Sequence, residues 1–392
     1  MTSTPPRLES ALEAAVTERY SAAAQAVEPA LCCPVDYDRE LLAAIPSEVL
    51  ERDYGCGNPS RYLRCGETAL DLGSGSGKIC FIASQVVGPA GRVFGVDMND
   101  DMLALARGAA STVGARIGYA NVEFLKGRIQ DLALDLEALA RRLQETPVAT
   151  PADLDRLEEE MASMRRNRPL VSDGSIDVVL SNCVLNLVKP AEKRRLFDEV
   201  YRVLRCGGRA VISDIVSDED VPEHMIHDGE LWSGCISGAL REDAFLRAFE
   251  AAGFVGIQVL ERGAQPWRTV GGIEFRSMTV VAYKRDDGPC LDQGHAVIYR
   301  GPFRQVTDDD GHVLRRGDRT AVCERTYRAL GREPYSEHFD KLPPAAPVPL
   351  AEAPLFPCSS DPLLRHPRES KISAAVDSPP SCVSFPSNGN CC

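Results

Sequence analysis

The sequence predicts an α/β protein whose mostly parallel sheet carries helices on both faces. From Thr68 onward, a short apolar strand, a glycine-rich loop, a helix and a second strand follow one another, which is the order of βαβ units. The predicted strands are 68–72, 91–97, 121–125, 175–181, 208–213, 255–260 and 277–283, with the last two as an antiparallel edge. The predicted helices are 8–28, 41–49, 78–87, 100–107 and 191–204.

Two segments lie outside this alternation. Residues 132–170 are charged and interrupted by Pro147 and Pro151, and they are longer than a sheet connection needs, so they predict a helical insertion. From residue 288 the Asp-Gly step in 308–311 indicates a hairpin within a small β-rich module. Eleven of the 27 prolines fall in the last fifty residues, which predicts a disordered tail. The predicted divisions are a helical thiol-bearing segment 1–64, a cofactor domain 65–215, a substrate region 216–287, the module 288–340 and the tail 341–392.

Composition and charge exclude several classes of function. The formal net charge of −13 argues against a nucleic-acid partner. No apolar run approaches the roughly 18–20 residues that span a bilayer, and residues 1–6 lack the features of a secretory signal. We therefore expect a cytoplasmic protein without a membrane partner. Fourteen cysteines in a reducing compartment are not mainly a disulfide framework, so some should be metal-binding, redox or catalytic.

The glycine-rich loop 71–77 reads Asp-Leu-Gly-Ser-Gly-Ser-Gly. Lys78 distinguishes it from the dinucleotide loop, and Ile79 stands where a Walker A loop needs Ser or Thr. Glycines let a bulky ligand lie against the backbone where the helix begins. Asp71 could meet a cationic amine, and Asp97, at the end of strand two, could accept both hydroxyls of a ribose. An amino-acid end and a ribose end together favour S-adenosylmethionine. The alternative is a glycine turn that serves strand–helix packing alone.

The loop resembles motif I of the class I S-adenosylmethionine-dependent methyltransferases, and Asp97 matches their ribose-binding acid. The resemblance implies a Rossmann-like sheet with S-adenosylmethionine as the methyl donor. It also implies that Met98 lies against the adenosine and that Arg128 and Ile129 line the adenine pocket. The complete predicted cofactor site is Asp71, Gly73, Ser74, Gly75, Gly77, Asp97, Met98, Arg128, Ile129 and Asn182.

Three cysteines stand in separate segments around this loop. Cys183 directly follows strand four, at the sheet edge where such folds place their substrate. Cys56 precedes strand one and Cys235 lies past strand five, so both could arch over the same edge. Thiolates are soft ligands that favour a thiophilic ion. Burial as ordinary core residues remains the alternative for each of them.

Four segments together resemble the arsenite methyltransferases: 54–57, 71–77, 181–187 and 231–240, within a match over roughly 30–285. The resemblance implies that Cys56, Cys183 and Cys235 hold arsenic(III) as the substrate. It further implies that Cys32 or Cys33 pairs with Cys56 as a redox disulfide.

The chemistry agrees with this resemblance. The lone pair of trivalent arsenic can attack a sulfonium methyl without a general base, giving mono- and dimethylated products from arsenite and methylated arsenite held as thiol adducts. Methylation formally oxidises arsenic, so a thiol reductant of the thioredoxin or glutathione type is expected. Two alternatives are a methyltransferase acting on carbon or oxygen of a small metabolite, and an arsenic or metal sensor. The role of the tail thiols Cys391 and Cys392 is left open.

Overall fold

The structure is a computed structural model that describes residues 6–28, 35–286, 288–358 and 361–370, with side chains from residue 11 onward. The chain divides into two compact units, 1–285 and 286–392. The sequence placed this division at residue 288. Of the three segments predicted before it, 1–64 and 65–215 lie within the first unit, and 216–287 ends two residues beyond its boundary.

The first unit is built on one mixed sheet. Its strands are β1 Thr68–Leu72, β2 Arg92–Asp97, β3 Val122–Lys126, β4 Ile176–Asn182, β5 Leu204–Ser217, β6 Leu240–Arg241, β7 Phe254–Arg262, β8 Arg268–Val270 and β9 Ile273–Lys284. The main order is β3-β2-β1-β4-β5-β9-β7, with β6 beside β5 and β8 beside β9. Neighbours from β3 to β5 pair in parallel, whereas β9 pairs antiparallel with β5 and β7. The antiparallel strand therefore lies inside the sheet, and β7 forms the edge.

Helices cover both faces of this sheet. They are α1 Pro6–Gln25, α2 Arg39–Leu42, α3 Ser47–Glu51, α4 Lys78–Val87, α5 Asp100–Ile117, α6 Leu136–Glu145, α7 Pro151–Asn167, α8 Lys193–Val203, α9 Glu223–Ile226, α10 Gly229–Ser233 and α11 Glu242–Ala251. Apolar side chains of α4 and α5 form one core layer, and those of α8 and α11 form the other. Alternate strand residues contribute to the two layers, since Ala69 joins the first and Leu70 the second.

The predicted insertion consists of α6 and α7. A capping box at Thr150 and Asp153 begins α7, with Pro151 in its first turn. Arg165 of α7 donates two hydrogen bonds, of 3.1 and 2.9 Å, to Asp131 Oδ2, which ties the insertion to the chain that follows β3. Helix α11 is the main element of this unit that was not predicted from the sequence.

The second unit contains β10 Ala296–Tyr299, β11 Gln305–Thr307, β12 Val313–Arg315, β13 Arg319–Ala321, α12 Glu324–Ala329 and β14 Phe339–Leu342. β10 pairs antiparallel with β13 and β14, and β11 and β12 form the hairpin predicted around 308–311. The structure describes part of the segment after residue 341 that the sequence predicts as a disordered tail. Ala321 N–H donates to Leu363 O at 2.7 Å and Ala345 N–H to Glu369 O at 2.7 Å, so this proline-rich segment is held by backbone hydrogen bonds despite its lack of regular structure.

In the parts of the chain that the structure describes, no helix has the length and apolar character that crossing a membrane requires.

Candidate functional site

A deep cavity opens at the carboxyl ends of β1, β2 and β4. This is the point where the chain order along the sheet reverses, because β1 connects to β2 on one side and borders β4 on the other. Helix α1 contributes to the wall of the cavity through Glu13, Val16, Thr17 and Tyr20. The predicted residues that line it are Asp71, Gly73, Ser74, Gly75, Asp97, Met98, Ile129, Asn182 and Cys183.

The glycine loop after β1 forms the floor of this cavity. Gly73 and Gly77 have φ of 67° and 91°, in the left-handed region that side chains rarely adopt. A Cβ at Gly73 would lie 2.4 Å from Val184 Cγ2, and one at Gly77 would lie 2.8 Å from Phe124 Cζ. Glycine is therefore required here both by backbone conformation and by the close approach of neighbours.

Polar groups on the cavity wall fit the two ends of S-adenosylmethionine. Asp97 accepts hydrogen bonds from Gly75 N–H at 2.8 Å and Asn99 N–H at 2.9 Å, which fixes the carboxylate at the end of β2. Burial raises the pKa of Asp97, while those backbone bonds lower it. Ser74 Oγ is buried without a hydrogen-bond partner among the described residues, as expected of a group that meets a ligand.

Asp71 is buried at the end of β1. Burial raises its pKa to about 8, and the hydrogen bond from Cys80 Sγ, at 3.3 Å, opposes that shift. A buried carboxyl group that forms no ion pair among the described residues is suited to a cationic ligand group. Lys78, the residue that follows the glycine loop, forms an ion pair with Asp53 and not with Asp71.

Two predicted cofactor residues lie away from the cavity wall, and two predicted thiols cannot be placed. Gly77 supports the loop from its start-of-helix position. Arg128 lines a separate depression with Asp131 and Arg165, so the predicted contact with adenine has no support from its position. Cys32 and Cys33 lie outside the described residues.

The three predicted substrate thiols come together at the end of β4. Cys183 packs against the apolar cluster that contains buried Cys56. The Sγ atoms of Cys56 and Cys183 and a carboxylate oxygen of Asp214 lie within 4.8 Å of one another. Cys235 Sγ is 3.0 Å from Cys183 O, to which it donates. Cys56 and Cys235 are buried, whereas Cys183 is partly exposed and faces the cavity.

Two of these cysteines have an uncommon backbone conformation. Cys183 has φ of 62° and Cys235 has φ of 59°, and no other non-glycine residue in the described parts of the chain has a positive φ. The left-handed conformation costs an L-residue with a Cβ roughly 1–2 kcal/mol. Such strain persists where the surrounding structure holds it and is concentrated at functional sites.

Asparagine side chains hold the other loops in place. Asn182 Oδ1 accepts hydrogen bonds from Cys56 N–H at 2.9 Å and Gly57 N–H at 3.1 Å. A Cβ at Gly55 would lie 2.1 Å from Asn182 Nδ2, so the loop needs glycine to approach β4. Asn186 Nδ2 donates to Cys235 O at 3.2 Å. The amide of Asn182, which the sequence assigned to the cofactor, therefore positions Cys56.

Protonated thiols are the stable form in this environment. For Cys183, the hydrogen bond with Cys235 lowers the pKa, but the hydrogen bond with Cys56 and burial raise it by more. The hydrogen bond with Cys183, followed by burial, raises the pKa of Cys235 well above its ordinary value. Cys183 and Cys235 therefore carry neutral thiols near neutral pH.

Asp214 and Tyr20 were not predicted from the sequence as residues of the site. Asp214 accepts Leu185 N–H and Ile215 N–H, both at 2.8 Å, and thereby fixes the turn after Cys183. Burial raises its pKa to about 6. A carboxylate within the apolar run of β5 is a feature of the sequence that could have indicated Asp214. Tyr20 OH lies 3.8 Å from Cys235 Sγ, and nothing in the local sequence of α1 indicated that contact.

The order β3-β2-β1-β4-β5-β9-β7, the glycine cradle and the acid at the end of β2 define a class I methyltransferase. A family model described as a methyltransferase domain matches residues 63–141 and 149–253, and one described as a domain of unknown function matches 286–375. The arsenite methyltransferase of Aquipseudomonas alcaligenes is 33% identical over 315 residues, covering 77% of this chain and 80% of that protein. The chain therefore belongs to the arsenite methyltransferase family.

Two further relatives agree. The arsenite methyltransferase of Mus musculus is 28% identical over 327 residues, covering 80% of this chain and 77% of that protein. The crystal structure of an arsenic(III) S-adenosylmethionine methyltransferase from Chlamydomonas reinhardtii is similar with a TM-score of 0.52 and 29% identity. That similarity covers 82% of this chain and 99% of the crystallised one. The predicted family resemblance is confirmed.

Proposed function

We propose that this protein transfers methyl groups from S-adenosylmethionine to trivalent arsenic held by Cys56, Cys183 and Cys235. The observation that carries the proposal is the convergence of three cysteines from distant segments beside the cofactor cavity, two of them on left-handed backbone. Family membership gives independent support. The products are mono- and dimethylated arsenicals, and the biological role is arsenic detoxification.

Neutral thiols suit the capture of arsenite. Each As–OH bond exchanges with one S–H to give an As–S bond and one water, so no charge has to be buried. The raised pKa values keep the thiols of Cys183 and Cys235 protonated before capture, and each proton leaves with a hydroxide as water. The exchange needs no oxidant, and three thiols replace three hydroxyls.

The chain's own residues bind and orient both reactants. Asp97 and Ser74 would hold the ribose end of S-adenosylmethionine, and Asp71 its amino group. When bound, the cofactor supplies an electrophilic methyl group. Cys183 faces the same cavity, so an arsenic atom on its sulfur could present its lone pair to that methyl group, and such alignment is worth several kcal/mol.

A carbon or oxygen acceptor is the weaker candidate, because it needs a positioned acid or base. Among the described residues, Asp214 is a carboxylate within 4.8 Å of the Cys56 and Cys183 sulfurs, and both of its oxygens already accept backbone N–H groups. Its arrangement supports a role in positioning the turn after Cys183.

Each methyl transfer leaves arsenic formally pentavalent, so two electrons must return it to the trivalent state. We propose that two thiols supply them by forming a disulfide, with Cys56 and either Cys32 or Cys33 as the pair. A thioredoxin- or glutathione-type reductant then regenerates the thiols, in the cytoplasm. Arsenic methylation that continues in a Cys32→Ser/Cys33→Ser variant for many turnovers would contradict this pairing.

The direct test incubates the protein with arsenite, a thiol reductant and S-adenosylmethionine labelled in its methyl group. We expect labelled methylarsenicals, and their absence under reducing conditions would overturn the proposal. Cys183→Ser and Cys235→Ser should abolish product while S-adenosylhomocysteine still binds. Cys65→Ser is the matched control because Cys65 is exposed, and equal losses in all three variants would indicate misfolding instead.

Arsenite binding has its own readout. Trp232 is buried three residues before Cys235 and lies on α10, which contacts α1. Saturating arsenite should change its fluorescence in the wild type and not in Cys235→Ser. A Trp267→Phe background removes the second tryptophan of the chain.

A further inference from the structure

The second unit contains a thiol cluster that the methyl-transfer chemistry does not use. The Sγ atoms of Cys290, Cys323 and Cys358 lie within 4.8 Å of one another. They come from three separate segments: the chain before β10, the start of α12 and the proline-rich segment after β14. All three fall in the region matched by the domain of unknown function.

Backbone hydrogen bonds hold these three segments together. Phe356 N–H donates to Cys290 O at 2.8 Å, and Cys358 N–H donates to Phe356 O at 2.9 Å. Glu324 N–H, next to Cys323, donates to Leu291 O at 2.9 Å. The cluster is therefore fixed by the fold of this unit rather than formed by chance encounter of loops.

The three thiols differ in exposure. Cys323 is buried and caps α12, where its Sγ accepts Thr326 N–H at 3.4 Å. Cys290 is half-buried and Cys358 is exposed. A buried ligand, a half-buried one and an exposed one give a small ion a site with an open entrance.

The thiols interact with one another. Partial desolvation, together with hydrogen bonds to Cys290 and Cys323, raises the pKa of Cys358 to about 12. Arg325 lies beside the cluster: burial lowers the pKa of its guanidinium, but Asp310 and then the three thiols raise it by more. This cation would stabilise any negative charge that develops on the sulfurs.

We propose that Cys290, Cys323 and Cys358 form a second, non-catalytic binding site for trivalent arsenic. Within the described residues, the cluster offers three sulfurs and no histidine or carboxylate. A structural zinc site requires four ligands, whereas trivalent arsenic carries a lone pair and is satisfied by three. Capture exchanges three As–OH and three S–H groups for three As–S bonds and three waters, with no change of oxidation state.

The test counts arsenic bound to the full-length protein. Equilibrium dialysis against arsenite, under a phosphine reductant, is followed by elemental analysis for arsenic and zinc. Cys358→Ser should bind one arsenic fewer than the wild type, and so should Cys290→Ser. Cys206→Ser, at another exposed cysteine, should bind as many as the wild type. Cys358 is the first choice because it is exposed, and thermal melts of each variant identify any that misfold.

The same measurement separates this site from the catalytic one. Cys183→Ser should lose one arsenic, and Cys183→Ser/Cys358→Ser should lose two. X-ray absorption at the arsenic edge of Cys183→Ser should show three sulfur neighbours. The proposal is overturned if Cys358→Ser binds as much arsenic as the wild type, or if zinc at one equivalent occupies the cluster and resists arsenite. Neither result depends on methyl transfer, so failure of the proposed function would be seen independently in the labelled-product assay.

Discussion

The backbone conformation at Cys183 and Cys235 is the clearest sign of function at the scale of single residues. Both residues have φ near 60°, where glycine is the favoured residue, and both nevertheless carry a thiol. Cys56, the third thiol, has no such strain. The chain keeps this conformational cost at two of the clustered cysteines, of which Cys183 lines the cavity, and strain is commonly concentrated at functional sites.

This strain gives a prediction for stability. Cys183→Gly should be more stable than Cys183→Ala by about 1 kcal/mol, because glycine adopts the left-handed conformation without a Cβ clash. Both variants lose the thiol, so neither should methylate arsenic. Urea unfolding measures the difference. At Cys56, where φ is not left-handed, Cys56→Ala should instead be more stable than Cys56→Gly by about 0.5–1 kcal/mol. The reason is that glycine loses more conformational freedom on folding than alanine does.

Asp71 gives a prediction for proton linkage. Its pKa of about 8 means that the carboxyl is protonated in the free protein at pH 6.5, when the amino group of S-adenosylhomocysteine is still charged. Binding of that cation should ionise Asp71 and release about one proton. Calorimetry in buffers of different ionisation enthalpy measures the release. Asp71→Asn should show none, and proton release from that variant would assign it to another group.

The same group affects stability with a definite sign. A pKa raised above the unfolded value of about 3.9 means that ionisation opposes folding. The destabilisation is absent below pH 4, grows as the pH rises and is complete above about 8. Asp71→Asn should therefore lose less stability than the wild type between pH 5 and pH 8. A steeper loss in the variant would contradict the assignment.

At the scale of elements, helix α1 covers the cofactor cavity and is held from two sides. Arg19 Nη1 donates to Glu230 O and to Ser233 Oγ, both at 3.1 Å, which ties α1 to α10 near Cys235. Asn99 Nδ2 donates to Thr17 O at 3.3 Å and ties it to the start of α5. The helix therefore links the thiol region to the cofactor region.

Asn99→Asp separates the two functions of this asparagine. Its Oδ1 accepts Met102 N–H at 3.0 Å and caps α5, and aspartate is an equally good cap. Aspartate cannot donate to Thr17 O, so α1 should open more readily and S-adenosylhomocysteine should dissociate faster, with stability nearly unchanged. Stopped-flow dissociation measures the rate. Asn99→Ala, which loses the cap as well, should also cost about 1 kcal/mol in stability. An unchanged dissociation rate in Asn99→Asp would show that α1 does not control release.

The whole molecule consists of two units, each with its own core. A chain ending at Arg285 should therefore bind S-adenosylhomocysteine with unchanged affinity, because the cavity is built from the first unit alone. It should also bind fewer arsenic atoms than the full chain, since it lacks the cluster of Cys290, Cys323 and Cys358. Calorimetry and arsenic analysis provide the two measurements. Loss of cofactor binding together with loss of cooperative unfolding would indicate that the first unit needs the second in order to fold.

The sequence by itself determined the sheet and the glycine loop. Local patterns carry this information, because apolar strands and glycines before a helix have the same meaning in most sequence contexts. The three thiols proposed to hold arsenic were indicated by the resemblance of four segments to the arsenite methyltransferases. Charge, prolines and segment length also predicted the insertion, and the Asp-Gly step predicted the hairpin of the second unit. Local patterns did not indicate α11, or the backbone hydrogen bonds made by the described part of the proline-rich segment.

Only the tertiary structure decided which residues support the site. Asp214, Tyr20 and the cluster of Cys290, Cys323 and Cys358 depend on contacts between segments far apart in the chain, for which no local pattern exists. The same holds for Asn182, whose amide holds the Cys56 loop, and for Arg128, which lies away from the cavity. Spacing along the chain constrains the ends of neighbouring strands, but side chains on separate loops meet only after the core has packed.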